Sequence, residues 1–247
     1  MPELAEIKHM ADYINHASDK LGPIESIIFQ NTKVKERFDF NGKFSAKARG
    51  KELQFNTDSG SVYFSMGMSG SWEEFENIAL NALTSNKSVK IIFICKHGRL
   101  AMFDTRNFAK WRVGEDWNVE KRGPCPLTEY PLFAMNIYNF LNKNSKVKDH
   151  PLYLILMNQK YFNGIGNYLR AEILFELNIN PFMPLSGLND EQLNNLIWLC
   201  NKIPGDFYYH GQYRKGMKCY GRFDNPHITH IIDKNKRKFW FDKKWYY

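Results

Sequence analysis

Gly164-Ile165-Gly166-Asn167-Tyr168-Leu169-Arg170-Ala171-Glu172-Ile173-Leu174 is a glycine-rich turn that runs straight into a helical pattern. Two glycines let a backbone turn approach a bound group closely, and a helix N-terminus behind it offers N–H groups to an anion. Asn167 reads as the cap of a helix reaching about Leu177. Gln159-Lys160 stand just before the turn, and Lys160 adds a point charge. A plain interhelical turn with an Asn cap accounts for the same residues without a ligand.

Working outward, the period stays helical on both sides. Phe133, Ile137, Phe140 and Leu141 form one apolar stripe, and Leu152–Asn158 continues the pattern. Leu193, Leu196, Ile197 and Cys200 form another, behind an Asn189/Asp190 cap. The last stretch, His227 to Phe241, reads as a hairpin turning at Asp233-Lys234-Asn235-Lys236. Upstream, Arg122-Gly123-Pro124-Cys125-Pro126-Leu127 breaks the pattern and reads as a linker. Before it lie short β-branched and aromatic runs: Ile24–Gln30, Glu52–Asn56, Ser61–Met66, Val89–Cys95 and Arg99–Phe103. Residues 2–16 carry Leu4, Ile7, Ala11 and Ile14 on one helical face, with Pro2 suited to the first turn. The class expected is α+β, with an antiparallel sandwich or barrel followed by a helical half. No internal repeat or low-complexity tract appears.

The 247 residues carry 34 Lys and Arg against 26 Asp and Glu, a formal charge of +8. With 43% apolar residues, a disordered or fibrous chain is excluded. The longest apolar runs, such as Leu152–Met157, fall far short of the roughly 20 residues that span a bilayer. The start, Met1-Pro2-Glu3, has neither a basic n-region nor an apolar h-region, so no signal peptide and no membrane partner are expected. Cys95, Cys125, Cys200 and Cys219 make no CxxC pair. Reduced thiols in a cytoplasm, nucleus or viral compartment fit better than a secreted, disulfide-stapled fold. Basic excess suits a polyanion partner, although a solvated basic surface gives the same charge. The 24 asparagines, with many Lys, Ile, Phe and Tyr, read as AT-rich codon bias.

Five further places offer chemistry. With Met1 removed, Pro2 is a free secondary amine able to attack an aldehyde-level sugar carbon, and Glu3 beside it can move protons. The plain alternative is a helix start. Met66-Gly67-Met68-Ser69-Gly70-Ser71 presents an apolar side chain between glycines, suited to wedging into a base stack or to a β-turn with a core Met. Asp104-Thr105-Arg106-Asn107-Phe108 puts Arg106 and Phe108 on one side of an extended segment, for base-edge pairing and stacking, or as an exposed Arg beside a core Phe. Lys234, Lys236, Arg237 and Lys238 before Phe239-Trp240-Phe241 suit a phosphate-binding finger or a lysine-guarded edge strand. Cys219, His227 and His230 lack the paired cysteines of a zinc finger, so no metal and no cofactor is expected.

Taken in chain order, Pro2-Glu3-Leu4-Ala5-Glu6, Gly50-Lys51-Glu52-Leu53, the Met66 and Asp104 loops, Gly123-Pro124-Cys125-Pro126-Leu127, Asn158-Gln159-Lys160 with the Gly164 stretch, and Cys219-Tyr220-Gly221 resemble the formamidopyrimidine-DNA glycosylase/endonuclease VIII family over nearly the whole chain. The resemblance implies a catalytic β-sandwich domain with an N-terminal helix (residues 1–122), a linker (123–130), a helix–two-turn–helix domain (131–218) and a finger (219–247). It implies a monomer that acts on damaged DNA by base excision and β,δ-elimination. Pro2 is then the Schiff-base nucleophile, Glu3 the proton donor and shuttle, and Lys51 a phosphate contact that assists elimination. Met68, Arg106 and Phe108 match the residues that fill the gap left by an everted nucleotide, and Lys160 and Asn167 match phosphate-gripping positions.

The finger resembles the zincless type of the endonuclease VIII-like 1 branch, with Arg237 as its arginine. Two departures matter. Ala5 stands where the family usually has Pro, which loosens the first helical turn. The stretch between the last helix and Cys219, including Asp206–Lys215, is too short for the long lesion-capping loop used for 8-oxoguanine, which favours oxidised pyrimidines and hydantoin or ring-opened lesions. The rival class is a non-catalytic damaged-DNA-binding protein, which retention of Met1 would favour because an acylated Pro2 cannot form an iminium. An RNA-binding module is the weaker rival, since no RNP or KH signature appears.

Overall fold

The structure, a computed structural model, describes residues 2–117, 121–143, 146–211 and 216–246. The chain divides into two compact units: Met1–Pro2 with Glu6–Trp117, and Glu3–Ala5 with Asn118–Tyr247.

The first unit is built on helix α1 (Leu4–Leu21), from Glu6 onward, and eight strands: β1 (Ile24–Phe29), β2 (Phe44–Arg49), β3 (Glu52–Thr57), β4 (Gly60–Ser65), β5 (Gly70–Phe75), β6 (Val89–Cys95), β7 (Gly98–Asp104) and β8 (Lys110–Val113). Ile7, Ala11, Ile14 and Leu21 recur at helical spacing and are buried. The helix starts at Leu4, after Pro2, and runs past residue 16 until Gly22, at φ +71, closes it by donating to the Ser18 carbonyl. The strands form two antiparallel four-stranded sheets, ordered β1-β6-β7-β5 and β2-β3-β4-β8. Their facing sides interdigitate. Phe55 of β3 stacks on Phe93 of β6 at 4.8 Å and on Trp72 of β5 at 5.8 Å between ring centres. A short helix, α2 (Leu80–Thr84), covers the outer side of β6 with Leu83.

The second unit carries α3 (Tyr130–Leu141), α4 (Leu152–Ile155), α5 (Asn167–Leu177), α6 (Asp190–His210) and a hairpin of β9 (Ile228–Ile232) and β10 (Lys238–Asp242). Phe133, Ile137 and Phe140 share one buried core with Leu169, Ile173, Leu196 and Cys200. Asn189 caps α6 in a capping box, its side chain taking the Gln192 N–H while Gln192 reaches back. Segment 123–129 packs within this unit. Cys125 is buried and donates its backbone N–H to Glu129 Oε2 at 2.8 Å.

Helix α6 continues to His210, where Gly211 at φ +61 ends it. Asp206–His210 are therefore helical and not part of a loop, and the segment before Cys219 is shorter than the sequence reading assumed. Gln212–Lys215 and Met1 lie outside the described residues.

Candidate active site

Glu3 is buried at 1% exposure, an unusual place for a carboxylate. Its Oε2 accepts the N–H of Gly166 at 2.8 Å and of Leu169 at 3.2 Å, and its Oε1 accepts that of Tyr168 at 3.1 Å. These are orphan donors at the start of α5. Glu3 therefore caps the helix from a distance of more than 160 residues in sequence, and Asn167 is not the cap. Gly166 holds the cap position with no side-chain bond, and Asn167 is the first helical residue. The next backbone N–H, that of Leu4, donates to the Gly164 carbonyl at 3.2 Å. Pro2, half-buried, directly precedes this carboxylate in the chain.

The glycine-rich turn is shaped by Gln159. Its amide donates to the Met157 and Ile165 carbonyls and accepts the Gly164 N–H. Lys160 stands exposed on this turn, and its carbonyl lies against Gly123, where a Cβ would sit 2.2 Å from that oxygen. Only glycine admits this approach.

Asn167 turns toward the hairpin. Its Nδ2 donates to the Lys238 carbonyl at 3.0 Å, while its Oδ1 accepts from Arg170 Nη2 at 2.6 Å. Arg170 is fully buried and also donates from Nη2 to Asp233 Oδ2 at 2.8 Å and from Nη1 to the Tyr153 carbonyl at 2.9 Å. Asp233 in turn accepts the N–H groups of Asn235 and Arg237 on Oδ1, at 2.8 and 3.0 Å. Burial works to raise the Asp233 pKa, but the Arg237 N–H and the Arg170 guanidinium outweigh it and hold the carboxyl below its ordinary value. Arg237 is exposed at the end of this turn. Two residues past Arg170 on α5, buried Glu172 accepts the N–H groups of Lys218, Cys219 and Tyr220. Burial dominates there and raises its pKa despite those bonds.

Within the first unit, Met68, Arg106 and Phe108 come together on two loops. Residues 105–109 form a tight turn and not an extended segment, with Asn107 at φ +56. Arg106 lies over the Phe108 ring at 4.9 Å. Met68 and Phe108 are exposed by 44% and 49%, whereas Met66 is buried. Buried Asp104 ties the loops together: it accepts the Ser69 hydroxyl and the backbone N–H groups of Arg106 (3.2 Å) and Ala109 (2.6 Å). Gly67, at φ +59, packs on the Phe108 backbone, where a Cβ would come within 2.7 Å. Lys51 is half-buried in the two-residue turn Gly50–Lys51 that joins β2 to β3, at the end of the sheet where Glu52 pairs with Ser65, just before the Met66 loop.

Sequence reasoning singled out both exposed and buried members of these clusters, from Arg106, Lys160 and Arg237 to Glu3. It missed Asp104, Gln159, Arg170, Glu172 and Asp233, which hold them. Four of the five stand inside or beside the quoted motifs, and Asp233 opens the hairpin turn. What marks them is a charged or amide residue where the pattern asks for an apolar or a cap residue.

The formamidopyrimidine-DNA glycosylase N-terminal domain matches residues 1–111. Human endonuclease 8-like 1 is 30% identical, over 98% of this chain and 72% of its own length. The chain belongs to the formamidopyrimidine-DNA glycosylase/endonuclease VIII family. Its activity is accordingly that of a DNA-repair glycosylase with AP-lyase action. The formamidopyrimidine-DNA glycosylase of Listeria monocytogenes is 25% identical over 74% of this chain and 72% of its own. In fold, the MutM (Fpg) protein of Thermus thermophilus superposes with a TM-score of 0.79 at 18% identity, covering 99% of this chain and 98% of that one. Lactococcus lactis Fpg, solved with DNA containing an oxidized pyrimidine, gives 0.78 at 20% identity and 99% coverage of both. As for membranes, no helix among the described residues is long and apolar enough to cross one.

Proposed function

We propose that this family member binds damaged DNA as a monomer, excises oxidised bases and cleaves the strand through a Schiff base on Pro2. The supporting observation is the buried Glu3 carboxylate, locked by three backbone N–H groups directly beside the proline that would carry the nucleophilic amine. A side chain so held needs no further ordering before it moves a proton.

The step runs as follows. The Pro2 nitrogen attacks C1′ and the bond from C1′ to the base breaks, so the base departs with its electron pair and takes up the proton that the Pro2 nitrogen gives up. Glu3 protonates the ring oxygen as the C1′–O bond opens, which leaves an iminium between Pro2 and C1′. The iminium acidifies C2′–H. Loss of that proton expels the 3′ phosphate, and a second elimination expels the 5′ phosphate. Water then frees the amine. Lys51, Lys160, Asn167 and Arg237 contact phosphates in this reading, and Met68, Arg106 and Phe108 fill the vacated stack. A damaged base stacks and pairs poorly, so everting it costs less than the few kcal/mol of a normal base. The extension of α6 to His210 leaves little chain for a lesion cap before Cys219, which supports oxidised pyrimidines and hydantoin or ring-opened purines over 8-oxoguanine.

Glu3→Gln tests this assignment. Excision of an intact damaged base should fall by about 10²–10⁴-fold, the range for a lost general acid. Cleavage of a preformed abasic site should fall far less, because the amine can attack a free aldehyde unaided. The new amide would also set an NH₂ against a backbone N–H, so some stability loss accompanies it. The ratio of the two activities is therefore the readout, and an equal loss of both would make Glu3 purely structural.

A further inference from the structure

We propose that Arg170 is a positioning residue for the finger: its buried guanidinium sets where Arg237 stands, and so controls the second elimination step. The inference rests on the reading of Arg237 as a phosphate contact. A charged side chain at 0% exposure is rare unless it is paired and hydrogen-bonded. Here the pairing spans two elements. Arg170 lies on α5, while Asp233 opens the β9–β10 turn. The planar head lies over the Phe239 ring at 5.0 Å and within 6.0 Å of Tyr153, and these two rings stack on each other at 4.9 Å. The guanidinium thus has one orientation open to it.

The Asp233 carboxylate has a divided task. Oδ2 takes the Arg170 donor, and Oδ1 takes the backbone N–H of Arg237. One residue on, the Lys238 carbonyl takes the Asn167 amide, and the Asn167 oxygen accepts from Arg170 in its turn. The backbone of Arg237 is therefore gripped from both sides by groups that meet at the Arg170 Nη2 atom. Its side chain stays exposed and available to a ligand. This polar link holds the turn beside the apolar packing that buries Phe239 and Phe241 with the helices. A lysine could keep the charge, but a single ammonium cannot reproduce a flat fork reaching Asp233, Asn167 and the Tyr153 carbonyl together.

A role in stability alone would lower all activities in parallel. Positioning predicts a change in product distribution. The test uses full-length Arg170→Lys, Arg170→Gln, Arg237→Ala and the Arg170→Lys/Arg237→Ala double variant on duplex DNA with a preformed abasic site. The amount of δ- relative to β-elimination product and the yield of borohydride-trapped adduct are read together, beside thermal unfolding. Arg170→Lys should lower the δ-to-β ratio several-fold with trapping nearly unchanged, and Arg170→Gln should lower it further. Arg170→Lys keeps the test open if the Gln variant does not fold. Added to Arg237→Ala, Arg170→Lys should change nothing more. A wild-type ratio in Arg170→Lys, or effects that multiply in the double variant while Arg237→Ala alone is impaired, overturns the positioning role. A wild-type ratio in Arg237→Ala overturns the reading of the finger arginine and the proposal with it.

Discussion

Asp104 shows how one buried side chain fixes several exposed ones. Its oxygens gather the Ser69 hydroxyl and the N–H groups of Arg106 and Ala109, so the loops bearing Met68, Arg106 and Phe108 share one anchor. Burial works to raise its pKa, but the bonds from Ser69, Ala109, Arg106 and Phe108 outweigh it and leave the value lowered. A carboxyl with a lowered folded pKa contributes stability above its unfolded value, near 3.9, and loses it as pH falls through the folded value. Asp104→Asn, which turns an NH₂ toward N–H or O–H donors, should therefore cost about 1–3 kcal/mol near neutral pH. That deficit should shrink below about pH 4. Urea unfolding of both proteins across this range checks it, and a deficit independent of pH would show that the charge of Asp104 is irrelevant. None of this was legible beforehand. Arg106 and Phe108 could be picked out from their motif, but the value of Asp104 depends on Ser69, 35 positions away.

Elements with strong periodicity were readable from residues alone. The Ile7, Ala11 and Ile14 stripe gave α1, the Val89–Cys95 run, apolar but for Lys90, gave β6, and the Asn189/Asp190 cap gave the start of α6. Strand β2 was not readable, since Phe44-Ser45-Ala46-Lys47-Ala48-Arg49 is short of bulk and is held by pairing to β3. Strand β8, with four residues, is too short for a pattern. The β9–β10 hairpin was located with its turn, but the strain in that turn was not foreseen. Lys236 adopts φ +59, a left-handed conformation that a lysine resists and a glycine accepts freely. Lys236→Gly should relieve this strain and stabilise the protein by about 0.5–1 kcal/mol, after allowance for the extra freedom glycine gives the unfolded chain. Denaturant melting measures it. A loss of stability would mean that the Lys236 side chain makes a contact worth more than the strain.

At the scale of the whole molecule, the charge of +8 and the family's chemistry meet in a protein whose finger is organised without cysteine pairs. Cys219 is buried among Ile228 and Trp240, and burial pushes its thiol pKa well up. A thiol in that state is a poor metal ligand. Elemental analysis should find no stoichiometric zinc, and a chelator should leave the melting temperature where it was. One zinc per chain would overturn this view of the finger. The resemblance to the glycosylase family was readable across nearly the whole chain because its motifs keep their order, whereas the Glu3 cap on α5 joins residues too distant for any local pattern to connect. The central claim is that the amine of Pro2, freed by loss of Met1, forms the covalent intermediate. Borohydride trapping of the processed protein on abasic DNA, followed by mass spectrometry of the adduct peptide, tests it most directly. The account predicts a single adduct on the N-terminal peptide, at Pro2. An adduct on Lys51 or another lysine, or no adduct from protein shown to begin at Pro2, would contradict it.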